Sequence, residues 1–185
     1  LKMRIRLPVT PHISITEFMP KDEARMILYL ADREINDRTI GIPFPYGRED
    51  FDQLMSVSIE TAMEHRGWSI HFAIRDENDS LIGEVVVFNL VECHKAEVGY
   101  WLGKPFWGQG IMTAVVGVIC KFAIDEWNLV KVAAAIFDGN VASQRVLEKC
   151  GFEFEGTMKR HFFKDGQYVD SRHYALFDDL SELPF

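Results

Sequence analysis

Apolar and polar positions alternate along this chain with two periods, and the switches between them mark its elements. Ile13–Phe18 alternates every second residue and predicts a strand. Pro20 then opens a helical stretch in which Ala24, Ile27, Leu28 and Ala31 share one face. Gly41–Gly47 carries Pro43 and Pro45 and reads as a loop. A second helix follows, with Glu49 and Asp50 in its first turn and Phe51, Leu54, Met55, Ile59, Ala62 and Met63 as its apolar positions. Trp68–Arg75 and Leu81–Leu90 are strand-like, joined by the hairpin connection Asp76-Glu77-Asn78-Asp79-Ser80, and Glu97–Leu102 is a further strand.

The second half changes rhythm. Gly110–Trp127 is helical, with Ile111, Val115, Val118, Ile119 and Phe122 on one face and Thr113, Gly117, Lys121 and Asp125 on the other. Val130–Phe137 is a buried strand, and Asn140–Lys149 a short helix stopped by Gly151. Two last strands, Phe152–Phe163 and Gln167–Phe177, flank Asp165-Gly166, a strong hairpin signal. The order predicts an α+β fold: an antiparallel meander of the three middle strands, then a parallel crossover from Glu97–Leu102 to Val130–Phe137.

Composition narrows the function. The 185 residues suit one domain, residues 1–185, and 48% hydrophobic with 26% charged residues is ordinary for a globular protein. No stretch is apolar for long enough to span a bilayer, and the N-terminus lacks the pattern of a signal peptide, so no membrane partner is expected. A formal net charge of -8 argues against a nucleic-acid partner and suits a cationic one such as an amine. Cys93, Cys120 and Cys150 have no metal-ligand spacing and read as buried thiols in a reducing cytoplasm. No metal site is expected, because His71, His94, His161 and His173 are not spaced for one.

Two segments carry chemistry. In the first, the strand Glu97–Leu102 runs through Gly103–Trp107 into Gly108-Gln109-Gly110 and a helix. Glycines let a ligand approach the backbone, and the helix start offers unpaired N–H groups and a positive dipole end. Together they suit a phosphate or pyrophosphate, with Thr113 as a further hydroxyl donor. A dinucleotide fold would need a third glycine where Thr113 stands, and a P-loop would need Gly-Lys-Ser/Thr. In the second segment, Asn140 is a good helix N-cap and Ser143 falls three residues on.

In this order and spacing, Glu97–Leu102, Trp107–Thr113, Asn140–Ser143, Leu147–Phe152 and Asp165-Gly166-Gln167-Tyr168 with Asp170 resemble the GNAT acetyltransferase superfamily, most closely its RimJ/RimL-type branch. Trp107 replaces the Arg or Gln that usually begins the turn, and Met112 a common Gly or Ala; both replacements fit that branch. Leu147 stands where many members carry a tyrosine acid.

The resemblance implies a three-layer α/β/α domain whose mixed, largely antiparallel sheet splays between its fourth and fifth predicted strands, Glu97–Leu102 and Val130–Phe137. It implies acetyl-CoA as co-substrate, with the backbone of Tyr100, Trp101 and Leu102 along the pantetheine arm. Trp107, Gly108, Gln109, Gly110, Ile111, Met112 and Thr113 would hold the pyrophosphate, and Asn140 and Ser143 would lie near the thioester. The implied reaction is direct acetyl transfer to a primary amine. Ser143 is the candidate donor to the leaving thiolate and Glu97 the candidate base, with Glu84 and Glu155 as rivals. A protein N-terminal α-amine is the favoured acceptor. A polyamine, amino acid or amino-bearing antibiotic remains open, as does a non-catalytic acyl-CoA-binding module and a monomeric or homodimeric state.

Overall fold

The computed structural model describes residues 5–64 and 69–178. Its strands are β1 (Arg6–Thr10), β2 (Ile13–Thr16), β3 (Ser69–Arg75), β4 (Leu81–Val91), β5 (Lys95–Leu102), β6 (Lys131–Phe137), β7 (Glu153–Lys164) and β8 (Gln167–Phe177). Its helices are α1 (Glu23–Leu30), α2 (Arg33–Asn36), α3 (Arg48–Glu64), α4 (Ile111–Trp127) and α5 (Val141–Lys149). The strands form one sheet in the order β1-β2-β3-β4-β5-β6-β8-β7. Every neighbouring pair is antiparallel except β5–β6, the parallel pair made by the crossover through α4.

Alternation along the strands sorts side chains between two cores. Phe72 and Ile74 of β3 join Val85, Val87, Ala96 and Val98 beneath α4, whereas Ala73 joins Met26, Leu30, Phe51 and Trp101 on the α1–α3 side. Helices therefore cover both faces, giving the expected layering. The second face contains a buried ion pair. Arg75, fully buried, donates to both carboxylate oxygens of Asp22 at 2.8 and 2.7 Å and to Thr16 Oγ1 at 2.6 Å.

Several expectations change. The first helix turns Met26 and Leu30 inward with Ile27 half-buried against the same core, while Ala24 and Ala31 are exposed and Leu28 is 66% exposed, so of the four expected core positions Ile27 alone packs inward. On α4 the buried positions are Met112, Val115, Val116, Ile119, Cys120 and Ala123, one step round from the predicted stripe, which a helix apolar on most sides does not define well. Strand β1 and helix α2 were not expected. Pro8 obscures β1, and the position is tolerated because β1 is an edge strand. Trp68, and the side chains of Ile59, Ala62 and Met63, lie outside the described residues. The final hairpin turns as predicted, with Asp165 (φ 49°) and Gly166 (φ 78°) both left-handed.

Candidate active site

The site begins where β5 and β6 part. They pair only at Lys95–Lys131, Ala96–Val132 and Glu97–Ala133; beyond this, Val98–Leu102 and Ala134–Phe137 diverge and open a wedge in the sheet. Backbone groups on the facing edges are thereby left for an extended ligand to meet as an inserted strand would.

A cavity of about 420 Å³ runs from this wedge to the start of α4, lined by Tyr100, Trp101, Leu102, Trp107, Gly108, Gly110, Ile111, Met112, Thr113, Asn140 and Ser143 among others. Gly108 (φ +73°) and Gly110 (φ +76°) both adopt the left-handed conformation. Gly110 is the N-cap of α4 and provides no side-chain cap, so the first-turn amides face the cavity without a competing acceptor. A Cβ at either glycine would meet no protein atom within 4 Å. These features fit an anionic, elongated ligand. Gln109 does not line the cavity, and its side chain donates to Pro105 O at 3.0 Å. Trp107 anchors the turn by donating from Nε1 to Leu102 O at 2.6 Å, and Arg38 lies 5.2 Å above its ring. The carbonyl of Leu102, one of the three residues whose backbone is expected along the pantetheine arm, thus already accepts a hydrogen bond.

Asn140 is the helix cap its position suggests, and it lines both cavities. Its Oδ1 accepts from Ser143 N at 3.2 Å, capping α5. Ser143 O in turn accepts from Tyr100 O–H at 3.4 Å, tying α5 to β5 across the wedge, and burial pushes the Tyr100 phenol well above its ordinary value. Leu147 is fully buried in the core, and its aliphatic side chain has no proton to give. Of the three cysteines expected to be buried, Cys120 is buried and Cys150 half-buried, but Cys93 is exposed in the turn between β4 and β5; burial raises Cys120 to about 12 and also raises Cys150, so neither of these two thiols is a ready nucleophile at neutral pH.

A second cavity, about 560 Å³, lies on the α1–α3 side of the sheet. It shares Arg38, Thr39, Tyr100, Trp101, Asn140 and Ser143 with the first, so the two meet at the wedge. The strand registers give its floor. Glu84, Val86 and Phe88 of β4 stand beside Trp101, Gly99 and Glu97 of β5, with Ala135 and Phe137 beyond them on β6. Glu97 reaches this floor at the closed end of the wedge and accepts from Asn89 Nδ2 at 2.9 Å. Of its rivals, Glu155 is held at the surface by Lys131 at 2.7 Å. Glu84 is buried: Oε1 lies 2.5 Å from His71 Nδ1, and Oε2 accepts from Trp101 Nε1 at 2.7 Å. Burial, then Glu84 and Asp50, push the neighbouring Tyr46 phenol up.

Sequence reasoning brought Glu97, Tyr100, Asn140, Ser143 and the glycine turn together. It gave no role to Arg145 and Lys149, which line the first cavity, or to Phe162, which lines the second. Helical spacing was the available signal for the former: residues 142, 145, 146 and 149 recur on one face of α5.

A mixed sheet wedged open beside an uncapped helix start defines a protein that cradles an extended anionic ligand between two parallel strands. Residues 12–153 match the acetyltransferase (GNAT) domain family, and the chain belongs to that family. It is 34% identical over 115 residues to the probable N-acetyltransferase YjcK of Bacillus subtilis, covering 60% of this chain and 64% of that protein. It is 31% identical over 130 residues to the ribosomal-protein-serine acetyltransferase of Escherichia coli, covering 69% of this chain and 72% of that protein. The matches to YjcK and to the putative ribosomal N-acetyltransferase YdaF of Bacillus subtilis span 64% and 54% of those proteins, less than two thirds of their lengths. In fold, the chain resembles the solved structure of RimL, a ribosomal L7/L12 α-N-protein acetyltransferase, in complex with coenzyme A. That match has a TM-score of 0.83 at 18% identity and covers 94% of this chain and 98% of the other.

Proposed function

We propose that this protein transfers an acetyl group from acetyl-CoA to a primary amine by direct attack, and that the amine is the α-amine of a protein N-terminus. The observation that carries the reading is the three-residue pairing of β5 with β6, after which the strands open between two cavities that meet at Tyr100, Asn140 and Ser143. One cavity suits acetyl-CoA. The amides at Gly110–Thr113 face its pyrophosphate, and the free edge of β5 faces its pantetheine. The other receives the amine from the opposite face of the sheet, where Glu97 supplies a negative charge that draws an ammonium towards the wedge.

In the transfer, the amine nitrogen bonds to the acetyl carbonyl carbon and the carbon–sulfur bond breaks. Ser143, at the junction of the cavities, gives a proton to the departing thiolate. Similarity to the ribosomal-protein-serine acetyltransferase supports a peptide acceptor. The test measures thiol release from acetyl-CoA with peptides of varied first residue, free amino acids and spermidine, with mass spectrometry locating the acetyl group. Turnover on peptide α-amines is expected. Turnover on spermidine or free amino acids alone would move the acceptor to small amines. Acetyl-CoA binding without turnover on any amine would identify a binding module.

A further inference from the structure

The second cavity contains a hydrogen-bonded chain that neither the family match nor the transfer described above assigns. Ser69 Oγ lies 3.0 Å from His71 Nε2, and His71 Nδ1 lies 2.5 Å from Glu84 Oε1. All three residues line the cavity, and Glu84 is 7% exposed. A carboxylate only accepts, so Nδ1 carries the imidazole hydrogen and Nε2 keeps its lone pair on the Ser69 side. Trp101 holds the other oxygen of Glu84 and fixes the carboxylate in place. The order hydroxyl, imidazole, buried carboxylate is one in which the imidazole gains a proton and the carboxylate stabilises the resulting cation.

We propose that Ser69, His71 and Glu84 form the relay that removes the proton from the acceptor ammonium, with His71 as the base. The proposal rests on the amine acetylation put forward above. His71 is opposite Val86, and Val86 opposite Gly99, so His71 stands two strands, about 10 Å, from the β5 edge at ordinary strand spacing. A short file of waters in the cavity, each step about 2.8 Å, joins that distance to the relay. Gly99 keeps the passage open: a Cβ there would lie 3.2 Å from Val86 Cγ1 and 3.4 Å from Phe88 Cε1. The ammonium N–H bond breaks, the nearest water accepts that proton, the file passes one on to Ser69 Oγ, and the Ser69 hydroxyl proton moves to His71 Nε2. The nitrogen lone pair is then free to attack. Among the described residues, the other charged or titratable groups around the cavity are Glu97 and Tyr100 on β5, Arg38 after α2 and His161 on β7, with Tyr46 beside Glu84. Glu97 stands at the closed end of the floor with its Oε1 on Asn89, apart from this chain of bonds.

The test compares the whole protein with His71→Gln, Glu84→Gln and Glu97→Gln on the best peptide acceptor across pH. Acetyl-CoA affinity is measured by calorimetry and the His71 imidazole is titrated by NMR. His71→Gln is expected to lower kcat/KM about 100-fold at neutral pH. That deficit should shrink as pH rises and free amine accumulates, while acetyl-CoA affinity stays at the wild-type value. Glu84→Gln should displace both the acidic limb of the rate profile and the His71 titration, and Glu97→Gln should act chiefly on KM. The relay is overturned if His71→Gln keeps the wild-type profile, if its deficit is the same at every pH, or if Glu97→Gln alone removes the acidic limb. An active wild type with any of these outcomes leaves acetyl transfer intact, whereas a wild type inert towards every amine overturns both.

Discussion

Replacing Gly110 with alanine isolates the anion-binding role of the α4 start. Gly110 has φ +76° and the added methyl group meets no protein atom within 4 Å, so the cost to folding is conformational rather than steric. A non-glycine residue in the left-handed region costs about 1–2 kcal/mol. At roughly 2–4 °C per kcal/mol for a chain of this size, Tm should fall by about 2–8 °C. The effect on ligand is separate. The methyl group enters space that a pyrophosphate must occupy to reach the first-turn amides. Losing one charge-assisted hydrogen bond removes about 1.5–3 kcal/mol, which weakens acetyl-CoA binding about 10- to 100-fold. Gly166 supplies the control: its φ is +78°, a Cβ there also meets nothing within 4 Å, and it lies in the β7–β8 turn outside both cavities. Gly166→Ala should reproduce the loss of Tm and leave acetyl-CoA affinity unchanged in calorimetry. Equal affinities for the two variants would refute the assignment of the α4 start to the pyrophosphate.

Other substitutions separate chemistry from scaffold. Ser143→Ala should lower kcat by about 10- to 100-fold with acetyl-CoA affinity nearly intact, read by thiol release and calorimetry; an unchanged kcat removes Ser143 from the proton path. Asp22→Ala leaves the Arg75 guanidinium buried without its carboxylate and should cost about 3–5 kcal/mol in denaturant unfolding. Leu147→Tyr installs the tyrosine that the family resemblance would place here, yet forces a larger polar ring into a fully buried site and should destabilise by about 1–3 kcal/mol without raising kcat. Burial, then His161, hold the His173 imidazole below its ordinary value of 6.5. The unfolded chain therefore binds the extra proton first, and this contribution to stability is present above pH 6.5 and lost as pH falls through and below it. His173→Gln should flatten that part of the stability profile, and an unchanged acid slope would count against it.

The fold was legible wherever one period dominated a segment. The β3–β4 alternation, the Asp165-Gly166 turn and the Gly151 helix stop each specify local geometry through their own residues, and each stands where it was expected. Misreadings fall where distant partners decide. Leu28 looks like a core position in its own helix, but the inward face of α1 is set by where Met26 and Leu30 meet Phe51 and Trp101. The candidate site divides in the same way. Gly108, Gly110 and Asn140 work through backbone geometry and capping, which short spacings encode, so the cofactor side could be read from a few contiguous residues. The acceptor side is built across strands. His71 and Glu84 are thirteen residues apart and meet only because the β3–β4 register sets them on one face of the sheet. Burial beneath Trp101, another cross-strand contact, then separates Glu84 from Glu97, two carboxylates that look equivalent in the sequence. Choosing between them as the partner of the base needed the register and not the residue types.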